Sequence, residues 1–492
     1  MNIFKRPMFY AALVCSVSAA VSLFSITFAL MISLASILIL ISVSIFCKKI
    51  KYITVSAFIL LFLMNLILQF KNIQQIKRLN LQSVSGSFLV TDDTVEYEKF
   101  NTVELKVLSS NNIPKKIKIF VFDNEKSNLK MGDIISGTLQ LNSIKIYDEY
   151  RAVDYADGIY ATAELTDVKK SGRSNYLYQT AHNIRLYIKN AIHTCFGNEA
   201  DSFLTALTVG DKSLLSDTFL NNVKATGVSH LIVISGMHLA VIMMTVFFVT
   251  DRMFYNKYIR CLITVGSVLF VSAVCGFGMS VIRAGTMYIF AAFASVFNRE
   301  SDLLNSMCAA VTAVLICSPF AVFNISFQMS VLSTLALVWV LPFYYNLFIK
   351  KFKITSKFLK AIISTALCSV TAVIFTLPVT IKNFGFVSVV SPITNLLVVL
   401  PVNLALGFNI IAIAVSAIPP IKFLSYPLFF AAGLFSKFIT VAVNAVARLP
   451  ITVAVLPKNA FWWAILLIFA IIAYMYFNEF KRKGSDFRAD VI

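Results

Sequence analysis

The sequence predicts a polytopic α-helical membrane protein of about 11–12 spans with a small β-barrel domain inserted near its N-terminus. Apolar residues make up 58% of the 492 residues, and the mean hydropathy is +0.80. Apolar runs of about 18 or more residues, each long enough to cross a hydrocarbon core of about 30 Å, recur at both ends of the chain. Between them lies a polar stretch with the alternation and turn residues of β-strands.

Residues 1–72 are predicted to form the N-terminal transmembrane helices. An almost continuous apolar run covers residues 8–46, and a third span is expected from about 53 to 70. Basic residues at the N-terminus and at 48–51 belong in the cytoplasm by the positive-inside rule. This orientation sends the third helix outward and places the next domain outside the cytoplasm.

Residues 80–170 are predicted to form an extracytoplasmic, OB-like β domain. Five β-rich segments alternate with Asn, Asp and Gly turns: SFLVTDD, TVELKVLSS, KIKIFVFDN, DIISGTLQLNSIKIY and GIYATAELTDV. Residues 81–170 contain 11 basic and 14 acidic side chains, which leaves 32 of the 43 basic and 10 of the 24 acidic residues elsewhere. A groove for a nucleic-acid backbone is expected to be basic, so this domain is no obvious platform for DNA.

Residues 175–228 are predicted to form interfacial amphipathic helices. Residues 175–195 have apolar side chains on one stripe, with Arg185 and Lys189 off it, as in a helix that lies at a membrane interface or packs on its own domain. A second short helix is expected to stop at Gly210. Ser216 can cap a third helix that ends before Gly227.

Residues 229–480 are predicted to form a transmembrane domain, followed by a basic tail at 481–492 that belongs in the cytoplasm. Spans are expected near 231–250, 259–275, 280–297, 303–320, 325–347, 359–378, 386–418, 425–447 and 460–478. The stretch 386–418 is too long for one straight helix and contains Pro392 and Pro401, so we expect it to be broken, tilted or re-entrant.

Two of the four histidines, His230 and His238, flank Ser235 and Gly236 at the start of this domain. On one continuous helix the two histidines would share a stripe. They could bind a metal, pair with Ser235 for hydrolysis, belong to a helix packed through its small Ser-Gly face, or line a constriction in a translocation path. Metal binding lacks further ligands on that helix and hydrolysis lacks an acid partner, so packing and the path are favoured.

Polar residues inside apolar spans are the other candidates. Arg283, in SVIRAG, must snorkel to the headgroups, pair with a partner, or face a polyanion in a cavity. Gln328, in SFQMS, and Asn395, in SPITNLL, need hydrogen-bond partners at membrane depth, so structural bonding and path lining both remain open. No HExxH, HxHxDH or paired-carboxylate motif occurs, and we expect no catalytic residue, no metal site and no cofactor.

The run 206–240 resembles the signature of ComEC-type competence proteins, in which a Gly-Asp-basic turn precedes a glycine and a Ser-His-Leu…Ile-Ser-Gly-x-His helix. The matching residues are Gly210, Asp211, Lys212, Gly227, Ser229, His230, Leu231, Ile234, Ser235, Gly236 and His238. Further matches follow in the family's order: SVIRAG at 280–285, NRESDLLN at 298–305, the segment 318–330 and FGFVSVVSPITNLL at 384–397. The resemblance covers nearly the whole chain.

The resemblance implies a multi-pass DNA uptake channel of the cytoplasmic membrane that passes single-stranded DNA during natural transformation, and no enzyme. The residues expected along the path are His230, Ser235, Gly236, His238, Arg283, Gln328 and Asn395. It also implies membrane lipid around the spans, a DNA receptor outside and, because the chain has no P-loop motif, a separate cytoplasmic helicase-like motor. A homo-oligomer stays open.

One departure from the family concerns its metallo-β-lactamase-like domain, which many members carry after the last span and which this sequence lacks. A separate nuclease is therefore expected to supply that activity. The alternative function is a transporter or exporter of another anionic substrate, such as a lipid or glycan precursor.

Overall fold

The computed structural model describes residues 12, 16 and 83–489, with gaps at 93, 97–100, 111–117, 124–128, 144–158, 197–198, 213, 233–234, 276–277, 299–301 and 458. The helices predicted within 1–72 and the last three residues lie outside the described residues. The chain divides into two compact units. Over the described residues, one comprises 12, 16, 83–190 and 245–327, and the other comprises 191–244 and 328–489.

A closed barrel forms the β part of the first unit. Its strands are β1 (Ser83–Val90), β2 (Val95–Glu96), β3 (Asn101–Ser110), β4 (Lys118–Asp123), β5 (Asp133–Ser143) and β6 (Ile159–Ser174). The order β1-β5-β6-β4-β3 is closed by pairing of β1 with β3, and β2 extends β3 as a two-residue edge. The β4–β6 pair is parallel. The prediction of a five-stranded, OB-like barrel is confirmed.

The barrel closes because its strands alternate between core and surface. Along β4, Ile119 and Val121 are buried whereas Phe120 and Phe122 are half-buried, as a period of two requires. One apolar core lies inside the barrel, built from Ile119 and Val121 and from Val84, Phe88, Val90, Val103, Leu105, Val107, Leu129, Ile135, Leu139, Leu141, Ala161 and Ala163. The apolar side chains of the described strands therefore pack into the interior of the barrel.

The helices follow the barrel in chain order. They are α1 (Tyr176–Phe196), α2 (Glu199–Val209), α3 (Asp217–Ala225), α4 (Ser229–Ile232), α5 (Gly236–Met253), α6 (Lys257–Val274), α7 (Met279–Val296), α8 (Leu303–Cys317), α9 (Ile325–Leu335), α10 (Leu341–Lys351), α11 (Lys357–Phe384), α12 (Ser391–Ser416), α13 (Ser425–Ala447) and α14 (Ala460–Ala489). A π-helical segment at 336–340 joins α9 to α10, and a 3₁₀ turn at 419–424 joins α12 to α13.

Within the first unit, Arg185 of α1 joins the barrel to α6. The side chain is 7% exposed; its Nε donates to the Val274 carbonyl at 2.7 Å, and its Nη1 contacts Asp92 Oδ1 at 2.8 Å. The prediction that Arg185 lies off the buried stripe is wrong. The charge is tolerated because it meets a carboxylate from the loop after β1 and a carbonyl at the end of α6 that has no partner inside its own helix.

In the second unit, α2 and α3 pack against the last helices. α2 contacts both α12 and α13, and α3 contacts α13. Phe203, Leu204, Ala206 and Leu207 of α2 are at most 2% exposed. Asn222 Nδ2 of α3 donates to Asn444 Oδ1 of α13 at 2.9 Å. Their position at a membrane interface stays a prediction.

Eight helices in the described part of the chain are long and apolar enough to span a membrane. They are Gly236–Met253, Lys257–Val274, Met279–Val296, Ile325–Lys351, Lys357–Phe384, Ser391–Ser416, Pro419–Ala447 and Ala460–Asn478; Leu303–Cys317 is a shorter apolar helix. Each corresponds to a predicted span, so the prediction of a polytopic helical membrane protein is confirmed.

The stretch 386–418 is not broken at its prolines, whereas the alternatives of a tilted or re-entrant segment stay predictions. Its first residues form β7 (Phe386–Ser388), which pairs with β8 (Val453–Val455), and α12 then continues without a break through Pro401. Pro392 lies in the first turn, where an N–H would have no helical partner. Pro401 removes a single internal hydrogen bond, which helices in membranes tolerate.

Candidate functional site

The Gly-Asp-Lys turn ends α2. Gly210 adopts a left-handed conformation with φ of 80°, and its N–H bonds to the Ala206 carbonyl at 3.0 Å, which is the usual end of a helix. Asp211 and Lys212 follow at the surface. Partial burial of its ammonium and then the charge of Lys224 lower the pKa of Lys212. The turn therefore brings two positive charges near each other on this unit.

Gly227 makes the closest backbone approach in this region. It ends α3 with φ of 74°, and a Cβ placed on it would lie 2.7 Å from Ser391 Cβ, 2.8 Å from Ser388 Cβ and 2.9 Å from Ser391 Oγ. No side chain fits there. The turn at Gly227 thus rests directly on the connection between β7 and α12.

The histidines lie on two separate helices. His230 is exposed on α4, whereas α5 begins only at Gly236 and carries His238, which is 3% exposed. The expectation of one helix stripe that carries both histidines is therefore wrong. The break has a local cause, because Ser235 Oγ accepts from the Met237 N–H at 3.3 Å and so caps the start of α5.

His238 is oriented by Ser235. The Ser235 N–H donates to His238 Nδ1 at 3.1 Å, and Ser235 Oγ lies 3.0 Å from the same nitrogen. Because Nδ1 accepts from a backbone N–H, the neutral ring carries its proton on Nε2. Nε2 is buried, and the backbone of Leu231 lies within hydrogen-bonding range of the ring. Over the same residues, no group of three or more His, Cys, Asp and Glu side chains could hold a metal ion.

Arg283 lies in the first unit, near the start of α7, with only 5% of its surface exposed. Its Nη1 is 3.2 Å from Met287 Sδ, one turn further along. The helix begins at Gly278 without a side-chain cap. The guanidinium is thus enclosed by protein near the start of an apolar helix. A charged side chain in such a helix needs polar or charged partners.

Gln328 and Asn395 lie at the starts of two other helices. Gln328 is half-buried in the first turn of α9, where Asn324 Oδ1 accepts from the Phe327 N–H at 2.9 Å. Asn395 is 8% exposed. Its Nδ2 donates to Ser369 Oγ of α11 at 2.7 Å, which provides the partner that an amide at membrane depth needs.

The structure therefore brings part of the candidate set together in the second unit. Gly227, Ser388, Ser391, Asn395 and Ser369 form one connected cluster where α12 begins. Sequence reasoning missed the three serines, because a serine in an apolar segment has no pattern that distinguishes a contact from packing. Their position in a matched family segment was the available signal for Ser388 and Ser391.

The fold defines the class: a multi-pass helical membrane protein that carries an OB-like barrel. The family model described as "Competence protein" matches residues 207–481, more than half of the chain. The chain belongs to this competence family, and the resemblance seen in the sequence is confirmed.

A curated relative is the "ComE operon protein 3" of Bacillus subtilis (strain 168). It is 23% identical to this chain over 193 residues, which cover 39% of this chain and 24% of the relative. The chain thus matches about a quarter of that protein's length. No solved structure matches the chain.

Proposed function

We propose that this chain forms a channel through which single-stranded DNA crosses the cytoplasmic membrane during natural transformation. The observation that carries the proposal is the competence-family match, which runs from the end of α2 into α14 and includes all eight apolar spans. A family tied to competence handles DNA, and a region made of membrane helices provides a way across the bilayer.

The charges of the chain fit a polyanionic substrate. A phosphate backbone needs a hydrated path, and cations along it lower the electrostatic barrier in hydrocarbon. Arg283 is enclosed within an apolar span, and 32 of the 43 basic residues lie outside the barrel segment. We assign Arg283 to the path as a cation that faces phosphate.

We also propose that the contact of Gly227 with Ser388 and Ser391 is the gate of this path. It joins the polar segment 210–227, which contains α3, to the start of α12, and His238 lies one short helix further along the chain. His230, Ser235, Gly236, Gln328 and Asn395 complete the proposed path. Gly210, Asp211 and Lys212 shape the turn on one side of the gate.

We also propose where the parts of the channel lie and which partners it has. The barrel domain lies outside the cytoplasm, the spans are surrounded by membrane lipid, and the chain moves DNA without acting as an enzyme. A DNA receptor outside, a helicase-like motor in the cytoplasm and a separate nuclease are the proposed partners.

Import of labelled DNA tests the proposal. A deletion strain of the host should bind labelled DNA at its surface and fail to accumulate the internal, DNase-protected strand, and the intact chain should restore import. Normal import in the deletion strain would reject DNA as the substrate and favour another anionic substrate, a lipid or glycan precursor.

Two arginine variants test the path. Arg283→Ala should reduce import without lowering the amount of protein in the membrane. Arg260→Ala is the matched control, because Arg260 is only partly buried and pairs with exposed Asp251 at 2.7 Å. If both variants import DNA like the unaltered chain, Arg283 does not contact the substrate.

A further inference from the structure

α12 combines extreme apolarity with three asparagines. Among the eight apolar spans of the described residues it has the highest mean hydropathy, 2.4. It nevertheless carries Asn395, Asn403 and Asn409. An amide side chain in hydrocarbon is costly unless its hydrogen bonds are made, so the surroundings of these three residues indicate what the helix faces.

Each of these asparagines has a buried carbonyl oxygen that lacks a hydrogen-bond partner in the part of the chain that the structure describes. The Oδ1 atoms of Asn395, Asn403 and Asn409 are buried and accept no hydrogen bond from any described residue. Two of the amides are held at their other end: Asn395 Nδ2 donates to Ser369 Oγ, and Asn409 Nδ2 donates to Thr208 Oγ1, both at 2.7 Å. These bonds fix the orientation of the two amide groups, and their Oδ1 atoms therefore face away from Ser369 and Thr208.

The three asparagines share one side of α12. At about 100° per residue, Asn403 lies about 80° to one side of Asn395 and Asn409 about 40° to the other. The opposite side is apolar and open: Leu400 is 66%, Leu404 38% and Ile411 42% exposed. This opposite side is suited to lipid, whereas the asparagine side faces into the protein.

The three asparagines extend over much of the thickness of a membrane. Asn395 and Asn409 are 14 residues apart, which corresponds to about 21 Å along a helix and to about two-thirds of a hydrocarbon core of 30 Å. A buried carbonyl left without a partner costs about 1–3 kcal/mol. Three such groups destabilise this packed arrangement of the helix by about 3–9 kcal/mol in total, whereas water satisfies them once a polar cleft opens beside the helix.

We propose that Asn395, Asn403 and Asn409 line a track along α12 that fills with water when the helices packed on this side separate, and that this track is the path of the DNA strand. The second half of this statement rests on the proposed function. In the open track the amide oxygens accept hydrogen bonds from water and, during passage, from the amino groups of unpaired bases. Neutral amides suit this role because they offer polar contacts without repelling or trapping the phosphates.

Thiol accessibility tests the track. In the full chain with its eight cysteines replaced, Asn403→Cys and Asn409→Cys are treated with a charged, membrane-impermeant methanethiosulfonate, with and without DNA. They should react at least about tenfold faster than Leu404→Cys and Ile411→Cys on the lipid side, because a thiol must be hydrated to ionise. Equal, slow labelling at all four positions in both conditions would overturn the track.

A second variant keeps the native cysteines. Asn409→Leu removes an oxygen that lacks a protein partner and also the 2.7 Å bond from Nδ2 to Thr208 Oγ1, so the two effects on stability oppose each other; DNA import should fall at an unchanged amount of protein in the membrane. Leu404→Val is the control, with normal import expected. Normal import by Asn409→Leu would show a dry packing position and overturn the proposal for the path.

The outcomes separate this inference from the proposed function. If the cysteines react but deletion of the protein leaves DNA import normal, the hydrated track is supported and DNA is rejected as its substrate. If the cysteines do not react but deletion of the protein abolishes import, the channel function is supported and its path does not run along the asparagine side of α12.

Discussion

Replacing Gly227 with alanine tests the central contact of the candidate site. The residue has φ of 74°, a conformation that costs a residue with a Cβ about 1–2 kcal/mol. The added Cβ would also lie 2.7 and 2.8 Å from the Cβ atoms of Ser391 and Ser388, and overpacking of this kind costs about 1–3 kcal/mol. We expect Gly227→Ala to lower the free energy of unfolding by about 2–5 kcal/mol in total.

Two further glycines separate the two contributions. Gly385 also has a positive φ, 71°, but nothing lies within 4 Å of its added Cβ, so Gly385→Ala should cost only the conformational part. Gly266 lies inside α6 with open space around it, and Gly266→Ala should stabilise the helix by about 0.5–1 kcal/mol.

Unfolding of the purified chains in mixed detergent and dodecyl sulfate micelles measures these differences. DNA import by cells that express each variant reports the functional effect, which we expect to be largest for Gly227→Ala. If Gly227→Ala costs no more than Gly385→Ala, the turn does not rest on the serines and the proposed gate contact is absent.

Two other substitutions follow from the contacts. Arg185→Leu should lower the free energy of unfolding by about 1.5–3 kcal/mol, because the hydrogen bonds from this charged side chain to Asp92 and the Val274 carbonyl are lost. Limited proteolysis should then release the barrel faster than in the unaltered chain. Lys189→Leu on the same helix is the control, and equal cleavage of both variants would contradict the role of Arg185. Ser235→Ala should cost about 1 kcal/mol through loss of the cap on α5 and, because Ser235 belongs to the proposed path, reduce DNA import, as measured by thermal melting and uptake of labelled DNA; normal import by this variant would remove the Ser235 hydroxyl from the path.

Most of the helices could be predicted because the apolar pattern that indicates a membrane helix is local in the sequence. The span expected at 259–275 forms Lys257–Val274, and the span expected at 425–447 forms Ser425–Ala447, since a long apolar run in lipid has to close its own backbone hydrogen bonds as a helix. The barrel strands were predictable for a similar reason, because alternation along β4 already distinguishes core from surface.

The remaining features depend on partners distant in sequence. β7 exists because Phe386 pairs with Val455, and no local pattern shows that pairing. Arg185 is buried because Asp92 and the end of α6 supply its partners, whereas its position in the sequence suggested a surface charge. The left-handed turn at Gly227 was predictable as a helix end, but its contact with Ser388 and Ser391 was not.

The strand pair β7–β8 constrains how α12 can move. β7 lies just before α12 and β8 lies just after α13, and Ser388 and Val453 are register partners. The pair therefore closes a loop that contains both helices, which also pack against each other. A displacement of α12 away from Gly227 has to carry α13 with it or separate the strands, so a disulfide between β7 and β8 should leave a concerted opening intact and block any motion of α12 alone.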